Sequence, residues 1–211
     1  MADDLLTMKA RIADELKRDD LTSQIATAIA DAVKFYQSEW FGFNESRDLT
    51  FPTVIDQEFY TSADLAAIAT IMEFEALQLI EGSNVQTLSR SSSVALEVAN
   101  QVGTLKGEPS EYAYINKKIR LSPIPNAVWT LRITGHITYA APASDGEAGN
   151  PWMIEAEILI RQRAKYDLML NQVRNVQRAQ VIATQVTEAF DNLKTRANQL
   201  HQTGRIKPTS F

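Results

Sequence analysis

The spacing of apolar side chains changes several times along this chain, and each change marks an element. Leu5, Met8, Ile12 and Leu16 fall on one face at helical spacing. Asp3 and Asp4 precede them and Lys17 and Arg18 follow, the order that the helix dipole favours. Leu21, Ile25, Ile29, Val33, Tyr36 and Trp40 keep the same spacing to about Phe41, behind Asp20, Thr22 and Ser23 as sources of capping oxygens. These two segments predict an N-terminal helical hairpin.

After Gly42 the period shortens to two. Leu49 and Phe51, then Phe59 and Tyr60, lie in short segments rich in Thr and aromatics. Ile71–Glu81 reads as a longer strand whose alternation slips near Ala76, because a regular pleat would put Glu73 and Glu75 on the face of Leu77 and Leu79; a bulge there repairs the pattern. Gly82-Ser83-Asn84 turns into Val85–Arg90, and Ser91-Ser92-Ser93 caps a short helix carrying Val94, Leu96 and Val98. Gly103–Pro109 reads as a loose segment. Tyr112–Ile115 and Ile119–Ser122 flank Asn116-Lys117, a two-residue turn. The next strand puts Trp129, Leu131, Ile133, Ile137 and Tyr139 on one side and Thr130, Arg132, Thr134, His136 and Thr138 on the other. Three meandering antiparallel strands are expected.

Ala140–Asn150 is the loop back to helix, with Asn150 as N-cap and Pro151 in the first turn. Trp152 to about Val173 is apolar on more than half its circumference through Ile154, Ile158, Leu159, Tyr166, Leu168, Met169 and Leu170, which predicts a central helix covered on several sides. A kink or turn follows at 171–175. Val176, Ala179, Ala183, Val186, Phe190, Leu193, Ala197 and Leu200 then recur at steps of three and four, the seam of a helix lying along another. The fold class is α+β: a helical bundle of an N-terminal helix hairpin and two long C-terminal helices, with an inserted antiparallel β subdomain. The expected limits are 1–42 for the first helices, 43–149 for the insertion, 150–203 for the last helices and 204–211 for an extended tail.

Composition narrows the function. Apolar residues at 45% and charged residues at 22% are ordinary for a soluble globular protein, and the chain is long enough to bury a core. No apolar run reaches the roughly 18 residues of a membrane span. The acidic start Met1–Leu6 lacks the basic and then apolar order of a secretory signal, so synthesis and retention in the cytoplasm are expected. Without cysteine, disulfides, thiolate metal sites and cysteine nucleophiles are excluded. A net charge of -5 argues against general phosphate binding but suits a wall that DNA slides past.

Candidate chemistry is sparse. His136 and His201, the two histidines, have no Asp, Glu or Ser at a spacing that forms a triad or a ligand pair. Glu155 and Glu157 stand two residues apart on a helix and cannot share a face. Glu73 and Glu75 read as the wet face of a strand; with His136 they form the polar set of a rival reading, a small-ligand or enzyme module in the β subdomain. Gly103-Thr104-Leu105-Lys106-Gly107 lacks the spacing of a phosphate cradle. Arg161, Arg163, Lys165, Arg174 and Arg178 are interleaved with Glu155, Glu157 and Asp167, the pattern of an ion-paired face rather than a nucleic-acid patch. No residue is assigned to catalysis, a cofactor or a metal.

The exception is the tail. Gly204 ends the last helix and Pro208 prevents its resumption, leaving Arg205, Ile206, Lys207, Pro208, Thr209, Ser210 and Phe211 as an extended strip with two cations, apolar anchors and a carboxylate. Such a strip suits a groove on another subunit.

Several of these motifs, in this order, resemble the head-to-tail adaptor, or connector, proteins of tailed bacteriophages. They are Leu5–Ile12, Asp19–Ile25 with Phe35-Tyr36, Tyr112-Ala113-Tyr114, Ile119–Pro125, Ala148–Trp152 and Thr203–Thr209. The resemblance implies a non-enzymatic virion protein of the neck, assembled in the host cytoplasm. It implies a homo-oligomeric ring, typically a dodecamer, under the portal protein, with tail or neck proteins as further partners, DNA only in transit and no membrane. It also implies that Arg205–Phe211 reaches the portal or a neighbouring subunit. Another neck ring component, a gatekeeper or tail terminator, is the alternative.

Overall fold

A computed structural model of the chain describes residues 4–100, 103 and 105–201, the side chains of 198–201 excepted. The fold is α+β, and the chain forms two units: residues 44–138, and a helical unit made of the segments before and after them.

In the helical unit, α1 (Leu5–Leu16) starts at Asp4, whose Oδ1 accepts from the Thr7 N–H at 2.7 Å. That bond holds the Asp4 carboxyl below its ordinary range. Met8, Ile12 and Leu16 are buried, as their spacing predicts. α2 (Thr22–Tyr36) buries Ile25, Ile29, Val33 and Tyr36 but ends earlier than its apolar pattern does, and Phe41 reaches the core from the loop beyond it. Asp20 does not cap α2: it takes a forked pair of hydrogen bonds from Arg18 at 2.6 and 2.7 Å, and Leu21 occupies the cap without a side-chain bond.

The expected single helix from Trp152 is broken. α4 (Pro151–Ile154) is capped by Asn150, which accepts from the Trp152 N–H at 3.1 Å, and α5 (Glu157–Asn171) begins after Ala156 leaves helical geometry. Trp152 is fully buried and its Nε1–H donates to the Tyr139 carbonyl at 2.9 Å, the partner a buried indole requires. A turn with Arg174 at φ 56° leads to α6 (Val176–His201), where Asn175 Oδ1 accepts from the Arg178 N–H. Ala179, Val186 and Ala197 of the expected seam are buried, and Ile182 joins them, whereas Val176 is exposed. α5 is packed by α1, α2, α4 and α6, as expected of a helix covered on several sides, while Ile154 at the end of α4 and Ile158 of α5 remain exposed.

The second unit contains β1 (Glu45–Pro52), β2 (Phe59–Tyr60), β3 (Ile71–Glu81), β4 (Asn84–Thr87), β5 (Ser89–Arg90), α3 (Ser93–Ala99), β6 (Lys106–Gly107), β7 (Glu111–Ile115), β8 (Lys118–Ser122), β9 (Ile124–Pro125) and β10 (Thr130–Ile137). One antiparallel sheet has the order β1-β10-β3-β4; the other has the order β2-β8-β7-β5, with β5 parallel to β7. β6, inside the segment read as loose, forms a short parallel pair with β9. The expected meander is therefore corrected: β7 and β8 form their hairpin in one sheet and β10 lies in the other. The residues explain why, since both sheets have an apolar face to bury, and Phe74 packs against Tyr112 and Tyr114 with ring centroids 5.5 and 4.8 Å apart.

Two local readings hold to the residue. Asn116 and Lys117 adopt φ 50° and 59°, the left-handed pair of a two-residue hairpin turn. Ala76 pairs with Thr134 and Phe74 with Gly135, leaving Glu75 as the extra residue of a bulge. The backbones come so close there that a Cβ on residue 135 would lie 2.2 Å from the Glu73 carbonyl oxygen, so only glycine fits.

Candidate functional site

Arg205, Ile206, Lys207, Pro208, Thr209, Ser210 and Phe211, singled out from the sequence, lie outside the described residues, as does the side chain of His201. Among the described residues, the features with the chemistry of recognition are two grooves on the helical unit and a cluster of loops on the β unit.

The first groove, of about 390 Å³, lies between α2, α5 and α6. Helical spacing points Tyr36 inward, where it stacks on Phe190 at 5.7 Å, and leaves its neighbour Phe35 on the lip, 57% exposed. Arg163 of α5 lays its guanidinium over the Phe35 ring at 4.1 Å and near Tyr166 at 5.5 Å, while its Nε donates to Asp167 at 3.3 Å. Burial pushes the Tyr36 hydroxyl and the Asp167 carboxyl above their ordinary ranges. On α6, Lys194 pairs with Glu39 at 2.9 Å and sits over Phe41 and Phe190. The wall is aromatic and cationic, and its centre is apolar.

The second groove, of about 300 Å³, runs between α4, the start of α5 and α6. Ile154 and Ile158, four residues apart and 49% and 58% exposed, form one wall, and Ala189 and Leu193 form the other. Glu155 and Arg196 flank it. Glu155 is exposed and makes no ion pair with another described residue, whereas Glu157 is buried against Arg11 and Arg161. The periodicity of the segment from Trp152 identified Ile154 and Ile158 as apolar-face residues but could not show that, among the described residues, they stay about half exposed.

The basic residues of α5 belong to ion pairs, as their interleaving with acids predicts. Arg161 and Lys165 both reach Glu15 of α1. Burial alone would raise the Glu15 carboxyl, but Lys165 and Arg161 together hold it below its ordinary value.

In the β unit His136, expected on the polar face of its strand, is buried at 1% exposure, because Gly135, His136 and Ile137 are all covered at this end of β10. His136 Nδ1 lies 3.7 Å from Glu75 Oε1, and Glu73 stands across from it in register. Both glutamates keep to the outer side of the bulged strand, and no group of three metal-binding side chains occurs among the described residues. A polar cluster missed in the sequence surrounds Arg120, which is buried in β8 and donates to Glu58 and Glu97 at 2.6 Å each while its guanidinium covers Phe59. Asn100 adds bonds to Glu58 and the Leu121 carbonyl, tying the end of α3 to the sheet. The signal available was an arginine within the apolar run Ile119-Arg120-Leu121.

The loop cluster joins three segments. The Asp56 N–H donates to the Pro125 carbonyl, Lys106 pairs with Asp56 at 2.6 Å, and Thr53 Oγ1 bridges the Ala127 carbonyl and the Trp129 N–H. These bonds fix the loops and leave Val54, Ile55, Leu105 and Val128 exposed on them.

No helix among the described residues is long and apolar enough to cross a membrane. The family model described as SU10 adaptor protein matches residues 3–207. No curated protein matches the chain. With the match spanning nearly all of its length, the chain belongs to the SU10 adaptor protein family, a family of phage head-to-tail adaptors.

Proposed function

We propose that this adaptor forms a homo-oligomeric ring in the neck of a tailed phage, bound beneath the portal protein, linking capsid to tail and letting DNA pass through its lumen. The observation that carries the reading, beyond family membership, is the helical unit's uncovered apolar surface. Ile154, Ile158 and Phe35 are large, exposed and fixed on regular helices rather than on loops. Large apolar side chains left exposed on regular helices in this way suit protein interfaces. A ring formed by head-to-tail contacts gives each subunit two such interfaces.

The β unit supplies the surface for a different partner, through the bonded loops that carry Val54, Ile55, Leu105 and Val128. The segment Arg205–Phe211 supplies a second contact with the portal, its cations and apolar residues docking as an extended peptide. The protein acts by shape and contact, without chemistry of its own.

The test is to mix purified full-length chain with its portal and to image the product. A ring stacked on the portal, with binding weakened by deletion of residues 205–211, is the expected result. Unaltered binding of the truncation overturns the role of the tail segment, and density against the tail tube without portal contact overturns the assignment to the portal side.

A further inference from the structure

We infer that neighbouring copies in the ring join by inserting the Phe35–Arg163 wall of one subunit into the Ile154–Ile158 groove of the next; this rests on the ring reading above. Three observations converge on it. First, the two grooves are different surfaces of one unit. At about 100° per residue, the α6 residues that line them, Ala183 and Phe190 on one side and Ala189 and Asn192 on the other, face directions roughly 140° apart. Two unlike patches pointing different ways are what a closed head-to-tail ring needs, whereas a two-fold dimer uses one patch against itself.

Second, their shapes are reciprocal. Phe35 projects from the lip of the first groove with more than half its surface exposed, and the second offers an aliphatic trough between the Ile154–Ile158 wall and Leu193. Aromatic anchors in aliphatic pockets dominate protein interfaces.

Third, each surface offers a charge that the other can meet, Arg163 on the first and Glu155, beside Arg196, on the second. The Arg163 guanidinium rides on the Phe35 ring at 4.1 Å, so whatever receives the ring receives the cation with it. Of its five N–H donors, the Nε one is engaged by Asp167. Glu155, between the two isoleucines in the sequence and exposed, has no ion pair with another described residue. Bringing Phe35 into the trough places Arg163 beside it.

The chain has no cysteine, which makes cross-linking clean. Phe35→Cys and Ile158→Cys are introduced singly and together into the full chain, assembled on the portal, and treated with a short bifunctional maleimide. Wild-type particles are imaged first for a ring. Expected is a ladder of covalent oligomers from the double variant, dimers only from a mixture of the two single variants, and neither from a single variant alone. Glu155→Arg is expected to lower the ladder about tenfold and Arg163→Glu in the same chain to restore it. Rings without a ladder overturn this interface and leave the ring reading standing. Dimers from Phe35→Cys alone overturn it in favour of a two-fold contact. Absence of wild-type rings overturns the ring reading, and this interface with it.

Discussion

The helical unit and the β unit differ in how they dispose of apolar surface. In the β unit two sheets cover each other, Phe74 meets Tyr112 and Tyr114, and the buried Arg120 cluster locks α3 across the second sheet. What remains exposed sits on loops, as with Ile55 and Val128, on the outer side of the short α3, as with Val94 and Val98, or singly on strands, as with Phe59, Val85 and Ile115. In the helical unit the core is as well filled, around Trp152, Met153, Ile160 and Phe41, yet Phe35, Ile154 and Ile158 stand uncovered on helix faces at fixed spacing. A loop can vary without disturbing its scaffold, whereas a helix face holds its side chains at set angles and suits a partner met in one geometry. On the ring reading proposed above, the helix faces would serve the repeated contact and the loops the other partner.

The strongest way to break this comparison is to damage each core separately. Trp152→Ala removes the largest buried side chain of the helical unit and the Tyr139 hydrogen bond, and should cost about 3–5 kcal/mol in urea unfolding. Arg120→Ala takes the cation from Glu58 and leaves it only the Asn100 amide; because Glu97 is largely exposed, the expected cost is smaller, about 2–4 kcal/mol. Amide exchange should rise within the damaged unit in each case. Equal increases throughout both variants would show that the units do not hold their cores independently.

How far the sequence revealed these units depends on the range of the interaction. The face of α1, the Asn116-Lys117 turn and the bulge at Glu75 follow from neighbours a few residues apart, and all three are in the structure as read. The burial of His136 depends on what covers that end of β10, where Gly135, His136 and Ile137 are all buried, and its sequence neighbours do not show that. The break between α4 and α5 has no glycine or internal proline to announce it. The grooves were illegible for a different reason: the apolar stripe of α5 is plain, but whether it meets α2, α6 or nothing depends on packing. Arg120 was invisible because its partners Glu58 and Glu97 come from separate elements.

A milder perturbation is acid. Glu15, 31% exposed, takes Lys165 and Arg161 across from α5, and its carboxyl titrates below its ordinary value in the folded chain. A depressed folded pKa stabilises above the unfolded value near pH 4.5, and that contribution is lost as the pH falls through the folded value. With so much solvent contact it is worth less than about 1 kcal/mol. Thermal melts of the wild type and Glu15→Gln should therefore differ slightly at pH 7 and converge in acid. A gap that widens in acid would contradict the pairing.

The smallest expected effect on stability is the most informative about function. Ile158→Ser changes a side chain that is 58% exposed and borders no core residue's only cover, so the unfolding free energy should stay within about 0.5 kcal/mol of wild type. If the uncovered face of α5 served the fold, the substitution would cost as much as a core truncation, and the contrast between the two units would disappear. If that face serves a neighbouring copy, the variant should melt like the wild type yet fail to form rings on the portal. Val54→Ser, on the bonded loops of the β unit, is the matched control: it should melt normally and still form rings. Ring loss from the helix-face variant alone is the outcome that assigns repetition to the helical unit, since both changes remove a comparable exposed aliphatic group and differ mainly in whether a helix or a loop carries it.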